Sequence, residues 1–118
     1  MKKILLVEDD PFLIDIYTTK LREENFKVVV ADNGDRALEL IEKEKPDLVL
    51  LDIVLPNKDG WEILKEIKAK NNKIKVIILS NLGQKEEVEK GLNLGAEKYL
   101  IKSNFTPSEV VEEIKKLI

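Results

Sequence analysis

The sequence predicts an α/β protein of flavodoxin-like build, a (βα)5 three-layer sandwich around a parallel sheet in the order 2-1-3-4-5. Three observations predict it. Five short apolar runs rich in Ile, Val and Leu recur along the 118 residues. Amphipathic segments with helical spacing separate them. The runs are continuous rather than alternating, as expected of strands covered on both faces. Right-handed crossovers leave few other arrangements of five such units.

Each element has its own warrant. The first strand is "ILLV" (4–7), followed by Asp10-Pro11, an N-cap with proline at the first helical position. Leu13, Ile16, Tyr17 and Leu21 then form the apolar stripe of a helix. "VVVA" (28–31) and "LVLL" (48–51) are the second and third strands and "VIIL" (76–79) the fourth. Gly95 ends the fourth helix in a left-handed conformation, and "YLI" (99–101) is the fifth strand. "TPSE" (106–109) combines proline with a capping box ahead of Val110, Ile114, Leu117 and Ile118. Trp61 covers the core near the start of the third helix, with no function assigned. The lysine-rich "KAKNNKIK" (68–75) reads as a solvated helix end and loop. No linker, low-complexity segment or solenoid repeat interrupts the pattern, so residues 1–118 are expected to be one domain with no effector domain.

Composition narrows the functions. The chain is 43% hydrophobic and 36% charged, as in a globular protein, with a net charge of -3. Its basic residues are scattered, which disfavours direct nucleic-acid binding. No apolar run has the length of a membrane span, and "MKKILLVEDD" turns acidic too soon for a signal peptide; the expected location is the cytoplasm. With no cysteine there are no disulfides, thiolate metal sites or thiol nucleophiles. With no histidine there is no Ser-His catalysis, His-ligated zinc or phosphohistidine on this chain.

In a parallel sheet, residues just past the strand ends gather on one edge. Here those positions hold Glu8 and Asp9, Asp52, Ser80 and Lys102. Asp32 follows the second strand but falls at the far edge. The change of direction in the strand order lies between strands 1 and 3, so Glu8, Asp9 and Asp52 meet there and repel. A cation resolves the conflict. Oxygen donors alone at an open edge suit Mg²⁺, which typically bridges carboxylates to a phosphate. Asp52, central among them, can then act as a nucleophile toward phosphorus, with Lys102 and the Ser80 hydroxyl on the phosphoryl oxygens. There is no P-loop or GxGxxG, so the phosphoryl group comes from another molecule. Singly, each residue has a plainer reading: Asp10 a helix cap, Glu8 and Lys102 surface charges, Ser80 a turn residue. Their placement at the ends of strands 1, 3, 4 and 5 favours the joint one.

"KKILLVEDDPF", "PDLVLLDIVLPNKDGWEIL", "VIILS" and "GAEKYLIK" together resemble the signature blocks of response-regulator receiver domains of two-component signalling, including the chemotaxis-regulator type. The resemblance implies that Asp52 is the phosphoacceptor and Asp9 a direct Mg²⁺ ligand. It implies that Glu8 reaches the metal through water and that Val54 offers it a backbone carbonyl. Ser80 and Lys102 become the phosphoryl-binding pair, with Pro56 and Gly60 shaping the loop after the acceptor. A switch is implied in which Ser80 moves toward the phosphoryl group and Tyr99, taken as the only tyrosine near the strand ends, turns inward. The face of helix 4, strand 5 and helix 5 then carries the message.

The implied partners are a histidine kinase or histidine phosphotransfer protein and a downstream protein, with the chain a monomer or weak phosphorylation-dependent dimer. Two departures stand out. Ser103 follows Lys102 where the family usually has proline, so a trans bond and a less rigidly aimed Lys102 are expected. Ser80 and Asn81 stand where threonine and a smaller residue are usual. Val54 and Leu82 flank the approach of water and, being apolar, predict slow self-dephosphorylation.

On this reading the chain catalyses only its own phosphorylation and slow dephosphorylation. One competitor is a pseudo-receiver that binds proteins without phosphorylation, against which the intact Glu8, Asp9, Asp52, Ser80 and Lys102 set argues. The other is a haloacid-dehalogenase-type hydrolase, which wants a second acid where Val54 stands.

Overall fold

The computed structural model describes residues 1–70 and 73–118. Strands β1 (Lys3–Val7), β2 (Lys27–Ala31), β3 (Leu48–Leu51), β4 (Lys75–Ser80) and β5 (Lys98–Ile101) alternate with helices α1 (Pro11–Glu23), α2 (Gly34–Glu44), α3 (Gly60–Lys70), α4 (Lys85–Asn93) and α5 (Pro107–Leu117). The strands pair in parallel in the order β2-β1-β3-β4-β5, as the sequence predicts. A 3₁₀ turn over Lys102–Asn104 links β5 to α5.

Alternation along each strand divides the interior into two layers. Leu5, Val7, Val49, Leu51, Val76 and Ile78 pack against Ala37 and Leu40 of α2 and Ile63, Leu64 and Ile67 of α3. Ile4, Leu6, Leu48, Leu50, Ile77 and Leu79 face Tyr17 and Leu21 of α1 and Val110, Val111 and Ile114 of α5. Every residue of β3 is buried, which is why its sequence is uniformly apolar. Fully burying one Leu or Ile side chain contributes about 1.5–3 kcal/mol, so the two layers dominate the stability. Edge strand β2 is only partly covered.

The helix ends follow the local chemistry. Asp10 Oδ1 accepts the amide of Phe12 at 2.9 Å with Pro11 behind it. Thr106 and Glu109 cap each other's backbone amides at the start of α5. Gly95 follows α4 at φ +109°, the expected left-handed stop. Among the described residues, Asn25, Lys45 and Asn57 are non-glycine residues at positive φ, which the sequence reading did not anticipate.

The lysine-rich segment is solvated only in part: Ala69, Lys70 and Lys73 are exposed, while Lys68 and Lys75 are drawn in. Lys68 is not solvated: its ammonium bonds the Ile74 carbonyl at 2.7 Å and both oxygens of Glu97 at 3.2 Å, because the end of α3 lies against the start of β4 and the turn before β5. Lys70 pairs with Glu42 and Lys75 reaches the Leu117 carbonyl. Asn71 and Asn72 of that segment lie outside the described residues. No helix among the described residues is long and apolar enough to cross a membrane.

Candidate functional site

Pairing of β1 with β3 sets Val7 beside Leu51, and the ladder continues one residue further through Asp52 N–H to Val7 O at 3.0 Å. Glu8 is pinned in the same way, its amide donating to Ala31 O at 3.0 Å. The two acids therefore leave the sheet side by side. One carboxylate oxygen each from Glu8, Asp9 and Asp52 falls within 4.8 Å of the others. Glu8 and Asp52 are buried and Asp9 is exposed.

Ser80, the last residue of β4, pairs with Ile101 of β5, and Lys102 follows at once. All five predicted strand-end residues thus line one cleft, with Val54 and Leu82 beside them. Asp10 lines it too, but its side chain is spent on the α1 cap. Asp32 stands apart, its carboxylate bonded to the Asn33 amide at 2.9 Å.

The charge on Asp52 is offset first by the protein itself, a contact the sequence did not show. Lys102 Nζ lies 2.8 Å from Asp52 Oδ2 and 2.6 Å from Glu8 Oε1. Burial works to lower the Lys102 pKa but is outweighed by the bonds and charges of Asp52 and Glu8, which hold it above its ordinary value. Burial pushes the Glu8 carboxyl upward, opposed by the Lys102 bond and the Asp10 amide. Asp52 Oδ1 accepts the Val54 amide at 3.2 Å. Among the described residues no cis peptide bond occurs, as Ser103 led one to expect. The expected looseness of Lys102 is not found, because two ion pairs aim a side chain only 11% exposed.

Ser80 is fully buried and its hydroxyl accepts the Leu82 amide at 3.3 Å. Tyr99 is half-buried, and its hydroxyl donates to the Leu82 carbonyl. Its ring rests on α4 at Gly91, where an added Cβ would come within 2.9 Å of Tyr99 Cδ2. Burial raises the Tyr99 pKa, with a smaller push from Glu87.

Tyr99 is not the only tyrosine near the strand ends. Tyr17, 3% exposed in the α1 layer, is raised chiefly by burial and also feels Lys102, Glu8 and Asp52. An apolar helix stripe gave no sign of this. In the loop after Asp52, Gly60 is required by close approach: a Cβ there would sit 2.4 Å from Ile53 Cα. The left-handed residue of that loop is Asn57, at φ +71°, which the reading of Pro56 and Gly60 missed. Trp61 packs against the core as expected and carries Lys90 Nζ 4.6 Å above its ring.

Fold and acidic cleft together are those of a receiver-type domain, and comparison with known proteins agrees. Residues 4–115 match the family profile described as "Response regulator receiver domain", and the chain belongs to that family. It is 33% identical over 117 residues to the alkaline phosphatase synthesis transcriptional regulatory protein PhoP of Bacillus subtilis (strain 168), covering 99% of this chain and 48% of that protein. It is 37% identical to the probable transcriptional regulator ycf27 of Cyanophora paradoxa, with coverage of 99% and 48%. The chain thus spans about half the length of these curated relatives.

Among solved structures, the BeF3-activated N-terminal receiver domain of Klebsiella pneumoniae RstA superposes with a TM-score of 0.91 at 35% identity, covering 98% of this chain and 97% of that one. A CheY-like response regulator receiver domain protein from Methanospirillum hungatei JF-1 gives 0.93 at 32% identity, with coverage of 99% and 93%.

Proposed function

We propose that the chain accepts a phosphoryl group on Asp52, with a Mg²⁺ ion, from a histidine kinase or histidine phosphotransfer protein. The observation that carries this is the charge balance of the cleft. Three carboxylates meet one ammonium, which leaves two negative charges uncompensated within reach of solvent. A divalent cation fits that deficit, and an all-oxygen donor set suits a hard ion. Asp9, Asp52 and the Val54 carbonyl would hold it, and when bound it would neutralise charge on the phosphoryl oxygens.

The chain's own residues supply the rest. An Asp52 oxygen attacks phosphorus of the donor phosphoimidazole. The P–N bond breaks with its electron pair left on the ring nitrogen, which takes up a proton. Lys102 pairs with one phosphoryl oxygen and the Ser80 hydroxyl donates to another. Movement of Ser80 releases the Leu82 segment, and Tyr99, already bonded to the Leu82 carbonyl, carries the change to the α4–β5–α5 face. Val54 and Leu82 shield the acyl phosphate and make its hydrolysis slow. We read the 118 residues as one receiver domain. The relatives' names support an output in transcription, in proteins of about twice this length.

The test is uptake of label from acetyl [³²P]phosphate. The parent takes it up with Mg²⁺ and not with EDTA, and Asp52→Asn does not take it up. Equal labelling of Asp52→Asn, or no need for Mg²⁺, overturns the proposal.

A further inference from the structure

Among the described residues, α4 is the helix that buries no apolar side chain. Its buried residue is Gly91, whereas α1, α2, α3 and α5 each bury at least a pair of apolar side chains. Packing of an apolar face is what fixes a helix on a sheet, so α4 is held by less than the others. Gly91 lets its backbone settle onto β4 and β5, where an added Cβ would fall 2.5 Å from Ile78 Cδ1 and 2.9 Å from Tyr99 Cδ2. Val88 is half-buried, and Leu92 is 45% exposed.

Sideways, α4 is tied to α3 by one cation. Lys90 Nζ lies 4.6 Å from the centre of the Trp61 ring. No carboxylate among the described residues pairs with Lys90, and its neighbours Lys85 and Glu89 stand 4.0 Å from each other. Trp61 is a firm anchor. It packs against the core, its amide donates to Asp59 Oδ1 at 2.9 Å, and the Gly60 amide before it donates to Ile53 O at 3.0 Å, beside Asp52.

We propose that Lys90 and Trp61 form a latch between α4 and α3, which favours the present position of α4 over the one it takes when a phosphoryl group fills the cleft. The second half rests on the function proposed above. Tyr99 lies beneath Gly91, the residue after Lys90, and is bonded to the Leu82 carbonyl. When its ring turns away, α4 loses the surface on which it rests, while Trp61 stays with the core. The ammonium must then stretch or let go, because the attraction fades beyond about 6 Å from the ring centre. A cation over a tryptophan face at an exposed site shifts an equilibrium by a factor of about two to five. With the displaced position of α4 the minor one, removing the latch multiplies its population by that factor. The affinity of any ligand that selects it rises equally.

The experiment uses Lys90→Gln, Lys90→Arg, Trp61→Leu and the double variant Lys90→Gln/Trp61→Leu. Lys90 is exposed, so its replacement leaves the core intact. Without any phosphoryl analogue, Lys90→Gln is expected to speed hydrogen exchange of the α4 amides about two- to fivefold. Beryllofluoride with Mg²⁺, standing in for the phosphoryl group, is then titrated and followed by the amide resonances of the cleft. Its midpoint is expected to fall about two- to fivefold in Lys90→Gln and in Trp61→Leu, with no further fall in the double variant. Lys90→Arg keeps the cation and is expected to match the parent.

A parent-like midpoint in Lys90→Gln overturns the latch, even where exchange in α4 is faster, since Lys90 then only steadies the helix. Effects that multiply in the double variant also overturn it, because the two residues then act apart. If the parent does not respond to beryllofluoride, the proposed function fails. Exchange in the same four variants then decides the contact, and equal exchange in Lys90→Gln and the parent overturns it.

Discussion

Gly60→Ala perturbs the backbone that carries the residue after Asp52. The added methyl would lie 2.4 Å from Ile53 Cα, 2.6 Å from its carbonyl oxygen and 2.8 Å from its carbonyl carbon. All three are backbone atoms, so no side chain can turn aside. Overpacking of this kind costs about 1–3 kcal/mol. Losing the 3.0 Å bond from Gly60 N–H to Ile53 O adds about 1 kcal/mol. Alanine's better helix propensity returns at most about 1 kcal/mol.

The balance is a loss of about 2 kcal/mol, which at about 2.1 cal/mol/K per residue over 118 residues lowers Tm by about 8 °C. Urea unfolding should show a lower midpoint with an unchanged slope. A change under about 0.5 kcal/mol, the level of an ordinary surface substitution, would refute the close-approach argument.

Replacing Val54 with Asn and Leu82 with Glu should speed loss of phosphate roughly tenfold by giving water a positioned partner, measured as decay of label after removal of the donor; an unchanged rate rejects shielding. Tyr99→Phe leaves the Leu82 carbonyl without its donor and should lower stability by about 1 kcal/mol in urea. The same substitution should remove phosphorylation-dependent amide shifts from α4, and their persistence would reject the relay. Glu113 is held below the usual carboxylate range, first by Lys98 and then by Lys116. Its contribution is therefore present above the unfolded pKa and lost as pH falls through the lowered folded value. Glu113→Gln should cost about 0.5 kcal/mol at pH 7 and nothing at pH 2, by thermal melts at both.

The fold was legible because burial on both faces writes uninterrupted apolar runs, and the runs ending at Val7, Leu51, Leu79 and Ile101 marked the sheet edge within a residue. The acids were legible for the same reason, since a carboxylate straight after such a run has few places to go. Side-chain reach was not. Lys102 bends back onto Glu8 and Lys68 onto Glu97, and a flexible stem leaves no periodic trace of its target. Tyr17 was hidden because a core stripe reads alike whether or not its outer end nears a charged cleft. Asn57 was within reach: asparagine is among the residues that tolerate positive φ, and it sits in a loop bounded by Pro56 and Gly60.

The most direct check of the account is chemical mapping of the phosphorylated residue. After incubation with acetyl phosphate, borohydride reduces an aspartyl phosphate to homoserine, which peptide mass spectrometry locates. Homoserine at position 52, formed with Mg²⁺ and absent with EDTA, is the predicted result. Homoserine at Asp9 or another aspartate, the corresponding five-carbon alcohol at a glutamate such as Glu8, or homoserine at position 52 regardless of Mg²⁺, would contradict it.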